Sequence, residues 1–224
     1  IQPDQIMAIS PFGLSSDRYF GHVFWDADIW VFPALSLVDP KRAESIPNYR
    51  LARSAAASEA HLNWRVGGMQ TATGHVVTAT IASSYDASQK YPWESSVSGK
   101  ETVPGPTRFE DHISGDVAWA VNQASALGLI PEKDADFVTR NVAGFWHWRK
   151  EGPGIKGVVS PDENHTGDND LYTNLVAEFC MNYLSPYSMA HLSDPAKFKR
   201  PRDKTTFLTY DGDTLKSYKQ AAAL

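Results

Sequence analysis

Between Asp162 and Asp170 the stretch GVVSPDENHTGDNDLYTN sets Asp162, Glu163, His165, Asp168 and Asp170, groups able to hold a cation or move a proton. Three chemistries fit such a cluster: metal coordination, an acidic turn that caps a helix, and general acid catalysis. A calcium loop starting at Asp162 finds partial matches in Asn164, Thr166 and Gly167, but its twelfth position, which needs a bidentate glutamate, is Thr173. A zinc site fares no better, because His165 has no second histidine at helical ligand spacing and no H-E-x-x-H occurs in the chain. No metal is therefore expected. Asp168, Asn169 and Asp170 read as an exposed turn, with Asp168 or Asn169 capping the next helix. Asp162 and Glu163 differ, since they follow the apolar segment IKGVVSP. A carboxyl held against apolar surroundings resists ionisation, which suits a general acid at neutral pH.

Carboxylates recur beside aromatic residues elsewhere. GHVFWDADIWVFP places Asp26 and Asp28 among Phe24, Trp25, Trp30 and Phe32. One reading is an aromatic core segment with two carboxylates at a helix start. The other is carbohydrate binding, where an indole stacks on a sugar face and carboxylates accept hydrogen bonds from hydroxyls. The pattern returns at Trp93 and Glu94 in KYPWESSVSGKE, and at Glu110 and His112 in FEDHISGDVAW.

The elements that must carry these groups are mainly helices. Ile113, Val117, Ala120, Val121, Ala124 and Leu127 recur at helical spacing over 110–129, ending at Gly128. Val138, Val142, Phe145 and Trp146 form a second stripe over 132–150, opened by Pro131 and closed by KEGPG. A third runs over about 170–184, with Leu171, Leu175, Val176, Phe179 and Tyr183 on one side. DADIWVFPALSLVD and NYRLARSAAASEAHLNW also read as helical, whereas GHVVTATIASSY over 74–85 alternates like a hairpin strand or loop insertion. The longest polar loops precede helix starts, where catalytic groups are commonly carried.

The segments GHVFWDADIWVFPAL, YPWESSVSGKE, EDHISGDVAWA, GVVSPDENHTGDNDLYTN and the closing YKQAAAL occur in the order seen in glycoside hydrolase family 65. From about Ala8 onward the chain resembles that family, which includes trehalose, maltose and kojibiose phosphorylases, acid trehalases, and hydrolases of kojibiose or glucosyl-galactosyl-hydroxylysine. The resemblance implies an all-α fold, part of an (α/α)6 barrel catalytic domain with a short β-hairpin insertion, acting on α-glucosides with inversion. Glu163 stands where the family carries its general acid. Trp25 and Asp26 match the pair that holds the glucosyl ring, and Lys219 and Gln220 match the pair that completes that pocket. Trp93 and Glu94 resemble contacts near the acceptor sugar, with Glu110, His112, Asp162 and His165 as nearby support.

Family members continue beyond the Lys219-Gln220 pair into helices that carry the hydrolases' general base or the phosphorylases' phosphate loop, and they carry a β-sandwich domain before the barrel. Residues 1–224 are therefore expected to be one catalytic-barrel unit, a fragment without the β-sandwich and the last part of the barrel. The remaining piece of the same enzyme is an expected partner, and the general base is expected outside this chain. The wording FWDADIWVFPAL and PDENH resembles the hydrolases more than the phosphorylases. The expected substrate is an α-linked glucosyl disaccharide, or a glucosylated acceptor, such as trehalose, kojibiose or a glucosyl-galactoside. No cofactor is expected, with inorganic phosphate as co-substrate only in a phosphorylase. The different class of reading is a non-catalytic carbohydrate-binding helical domain.

Composition narrows the partners. At 224 residues with 42% hydrophobic and 12% aromatic content, the chain can bury a sizeable core. A net charge of -5, with KFKRPRDK as its one basic cluster, gives no footprint for nucleic acid or an anionic membrane surface. A single cysteine, Cys180, excludes an internal disulfide. The compartment is not fixed by these residues, and the family resemblance leans toward an extracellular or periplasmic one.

Overall fold

The computed structural model describes residues 6–13, 15–66, 88–103, 109–151, 154–182, 209–211 and 214–216. The hairpin expectation over 74–85 lies outside these residues, as do Lys219 and Gln220. A π-helical turn, Ala27–Val31, runs into α1, Phe32–Val38, followed by α2, Pro40–Ala43, α3, Ser45–Ala52, and α4, Ser54–Val66. Then come α5, His112–Ala126, α6, Glu132–Arg149, and α7, Leu171–Asn182. Between α6 and α7 lie two small antiparallel ladders: β1, Lys150–Glu151, with β2, Gly154–Ile155; and β3, Val158–Val159, with β4, Thr166–Gly167. A third ladder joins β5, Thr209–Asp211, to β6, Thr214–Lys216. The fold is all-α in class, part of an (α/α)6 barrel.

The first two stripes read from the sequence pack on one another apart from exposed Leu127, while α7 joins them by a different face than expected: Leu175 is exposed, Val176 and Phe179 are only partly buried, and Tyr183 lies outside the described residues. Ile113, Val117, Ala120, Val121 and Ala124 of α5 are buried with Val138, Val142, Phe145 and Trp146 of α6 and Ala177 and Cys180 of α7. Burying such side chains is the main driving force for the fold. α5 ends where expected: Gly128, at φ 72°, donates to the Ser125 carbonyl at 2.9 Å while Leu129 donates to Ala124 at 2.9 Å. That pair of bonds is a Schellman cap, which needs the left-handed residue glycine supplies. α5 and α7 approach closely at Gly115, where an added Cβ would stand 2.5 Å from Cβ of Val176.

Charged side chains lock the loops onto this bundle. Asp28 on the π-helical turn accepts from Arg50 of α3, with Nε 3.1 Å from each carboxylate oxygen and both residues buried. Arg149, at the end of α6, donates from Nε to Asp111 at 2.6 Å and from Nη2 to the Lys156 carbonyl at 2.6 Å. Lys90 reaches the other oxygen of Asp111 at 3.3 Å. Three chain segments distant in sequence thus meet at the residue between Glu110 and His112.

Candidate active site

The α5 N-terminus supplies the buried part of the site. Glu110 and His112 are 1% and 0% exposed. The imidazole Nδ1 binds Asp116 Oδ2 at 2.7 Å, one helical turn along the same face, and Nε2 stands 3.4 Å from Glu110 Oε2. The Tyr172 hydroxyl in the first turn of α7 donates to the other oxygen of Asp116 at 2.7 Å. Burial opposes a charge on His112, but the Asp116 and Glu110 carboxylates outweigh it and push its pKa up to about 9. Burial also raises the pKa of Glu110. His112 pulls it back, the charge of Glu163 pushes it up, and the adjacent Trp93 indole lowers it. The charge of Glu163 thus acts on Glu110, although the two are far apart in sequence.

Aromatic rings line the same place. Trp25 meets His112 edge to face with ring centroids 5.1 Å apart, and lies 6.1 Å from Tyr172. Trp93 packs edge to face on buried Phe24 at 4.9 Å. Asp26 follows Trp25 at the start of the π-helical turn and is half-buried, so desolvation raises its pKa, with a backbone hydrogen bond in partial opposition. Glu94 is buried and pairs with His22. Trp93 and Glu94 are fixed from below by Glu101, whose carboxylate accepts the Trp93 backbone N–H at 2.8 Å and that of Glu94 at 3.2 Å.

Glu163 rides on the tip of the β3–β4 hairpin, in register Val158 to Gly167 and Val159 to Thr166. Its N–H donates to the Ser160 carbonyl at 2.9 Å, and its backbone is left-handed at φ 62°, an uncommon state for a residue with a side chain. Asp162 holds the tip together. Its Oδ1 accepts from Ser160 Oγ at 2.8 Å and from the N–H groups of Asn164 and His165 at 3.0 and 3.1 Å, while Oδ2 pairs with His165. What little burial it has raises its pKa, but these hydrogen bonds together bring it below the ordinary value. Asp162 and His165 therefore act as scaffold for the turn in this structure.

Two expectations need correction. Val158, Val159 and Ser160 do enter from the interior, yet Asp162 and Glu163 are exposed, because the hairpin turns outward at Pro161. The site carboxyl that is both buried and raised is Glu110. The α7 cap is neither Asp168 nor Asn169 but Asp170, whose Oδ2 accepts the Thr173 N–H and hydroxyl, both at 2.8 Å. Asp168 instead accepts the Gly157 N–H at 2.9 Å and closes the base of the hairpin. Sequence reasoning also passed over His22, Glu101, Asp116 and Tyr172. Only Asp116 left a readable signal, four residues after His112 on one helix.

The model of the glycosyl hydrolase family 65 central catalytic domain matches residues 1–206, and the chain belongs to this family. It is 38% identical to a kojibiose hydrolase of Mucilaginibacter mallensis over 186 residues, 76% of this chain and 24% of that protein. It is 34% identical to a protein-glucosylgalactosylhydroxylysine glucosidase of Gallus gallus over 192 residues, 78% of this chain and 24% of that one. A kojibiose phosphorylase of Thermoanaerobacter brockii is 29% identical over 201 residues, 79% of this chain and 23% of its own. The chain thus spans about a quarter of the length of the curated relatives it matches. A solved structure provisionally named a kojibiose phosphorylase, from the human microbiome, superposes with a TM-score of 0.73 at 17% identity over 97% of this chain and 31% of that one.

Proposed function

We propose that the polypeptide carrying this chain is an inverting glycoside hydrolase that cleaves the α-glucosidic bond of a glucose-containing disaccharide or glucosylated acceptor. Kojibiose and a glucosyl-galactoside are favoured by the names of the relatives, and trehalose fits the same chemistry. The observation that carries the reading is the hairpin tip that holds Glu163 outward on a left-handed backbone, within electrostatic reach of Glu110. Glu163 protonates the glycosidic oxygen as the bond breaks, and water attacks the opposite face of an oxocarbenium-like centre. In the general inverting scheme the second carboxylate, which activates that water, stands roughly 6.5–9.5 Å from the first. That base is assigned outside this chain. Trp25 and Asp26 take the glucosyl ring and Trp93 and Glu94 serve the acceptor, while Lys219 and Gln220, outside the described residues, are given a glucosyl-binding role by the family resemblance alone. The chemistry needs neither metal nor organic cofactor.

The phosphorylase reading keeps a specific support in the Thermoanaerobacter brockii relative. There phosphate itself is the nucleophile and no protein base is required. Proton NMR of the anomeric region, on the full polypeptide with kojibiose, trehalose and maltose, separates the two. Free β-glucose without phosphate is the expected product. β-Glucose 1-phosphate formed only with phosphate present makes the enzyme a phosphorylase, and no turnover with sugar still bound favours a binding domain.

A further inference from the structure

Trp25, His112 and Tyr172 come from three separate elements, the loop before the π-helical turn, the first turn of α5 and the first turn of α7, yet their rings are in mutual contact. His112 lies 5.1 Å from Trp25 and 5.2 Å from Tyr172, each nearly perpendicular, and Trp25 lies 6.1 Å from Tyr172. Two of the three rings are clamped by one carboxylate. Asp116 binds His112 Nδ1 through Oδ2 and the Tyr172 hydroxyl through Oδ1, both at 2.7 Å, so neither ring turns without breaking a charge-assisted bond. Trp25 rests against this clamped pair, half-buried, with exposed Trp30 beside it at 6.0 Å.

We propose that Asp116, His112 and Tyr172 are positioning residues that hold the Trp25 indole in the orientation a glucosyl ring requires. The proposal rests on the reading that Trp25 takes the glucosyl ring. None of the three needs to touch sugar; they act through the indole. A protonated imidazole suits this role, since its bond to Asp116 is then charge-assisted on both sides and holds the ring more firmly than a neutral imidazole would be held. The charges around it are Glu110 and Asp116 of its own segment. Beyond them Asp28, with its partner Arg50, and Cys180 interact with Asp116, Tyr172 stands on α7, and Glu163 acts through Glu110. The carboxylates keep the imidazolium charged well above neutrality, up to about pH 9.

The test is titration of free glucose into the full polypeptide, read by tryptophan emission and calorimetry from neutral to alkaline pH, alongside KM and kcat on the best disaccharide. Tyr172→Phe removes one charge-assisted hydrogen bond and is expected to weaken glucose binding about tenfold, raising KM more than it lowers kcat. Wild-type affinity is expected to fall as pH rises through about 9. In His112→Gln, checked for folding by circular dichroism, affinity is low and that step is absent. A general packing role would lower the melting temperature but leave the alkaline step in His112→Gln unchanged, and that result overturns the proposal. Wild-type glucose binding with unaltered affinity in Tyr172→Phe also overturns it, and leaves the glycosidase reading standing. A wild-type polypeptide that binds no sugar and turns over no glucoside overturns both.

Discussion

The base of α5 and the tip of the β3–β4 hairpin both concentrate charge, and they hold it in opposite ways. At the base, Lys90, Asp111 and Arg149 come from positions far apart in sequence and meet in the interior. At the tip, Asp162 satisfies itself with Ser160, Asn164 and His165, none more than three residues away and mostly exposed. A buried charge with long-range partners commits the whole fold, because removing one partner strands the other in a low dielectric. A local exposed network commits only its own turn. The scaffold is thus rigid where it fixes Glu110 and His112, and self-contained where it presents Glu163.

That contrast can be broken in a graded series. Glu163→Gln should lower turnover by about two to four orders of magnitude, the range of a lost general acid, with sugar affinity and melting temperature kept. If sugar-dependent turnover persists, the acid is a different residue and Glu110 is the next to test. Arg149→Met leaves Asp111 with a single partner and should cost about 3–5 kcal/mol in denaturant unfolding. Gly115→Ala drives a methyl group into Val176 and should cost about 1–3 kcal/mol. It should also disturb the junction between His112 and Tyr172. Asp162→Asn should leave the melting temperature almost unchanged, while turnover falls severalfold as the tip loses its charge and the second oxygen that pairs with His165.

The pH dependence sharpens the same comparison, since the two regions fail at opposite ends. His112 titrates at about 9 in the fold against an ordinary 6.5. Its stabilisation is complete below 6.5 and is lost as pH rises through 9. Asp162 has a lowered pKa, so its contribution is present above the ordinary value of 3.8 and is lost as pH falls through the folded value. Thermal melts should therefore fall on the alkaline side in the wild type and less so in His112→Gln. Acid should loosen the hairpin, read by amide exchange at Asn164 and His165, before the bundle melts.

The helices were legible because burial at α5 and α6 imposes a 3.6-residue period that the residue order records directly, whereas α7 buries Thr173, Asn174, Ala177 and Cys180 in place of exposed Leu175. Their ends were nearly as clear, since Gly128 and Pro131 act locally. The partners of the site residues were not. Nothing near His22 points to Glu94, and nothing near Tyr172 points to Asp116, 56 positions earlier. The cap of α7 was misplaced by one or two residues because Asp168, Asn169 and Asp170 all qualify chemically, and the choice among them was made by Gly157 taking Asp168. The exposure of Glu163 was missed for a related reason. An apolar approach says where a segment comes from, while Ser160, Asp162 and the turn they build decide where it goes.

The π-helical turn at Ala27–Val31 carries one residue more than an α-helical turn would hold. Losing that residue would leave chain length and composition almost untouched. A π turn and an α turn each close about one full rotation, however, so the residue could be lost by tightening the turn, with Asp28 still held by Arg50. Trp25 and Asp26 would keep their direction, whereas the same single-codon deletion inside α5 would turn His112 by roughly 100° relative to the rest of that helix.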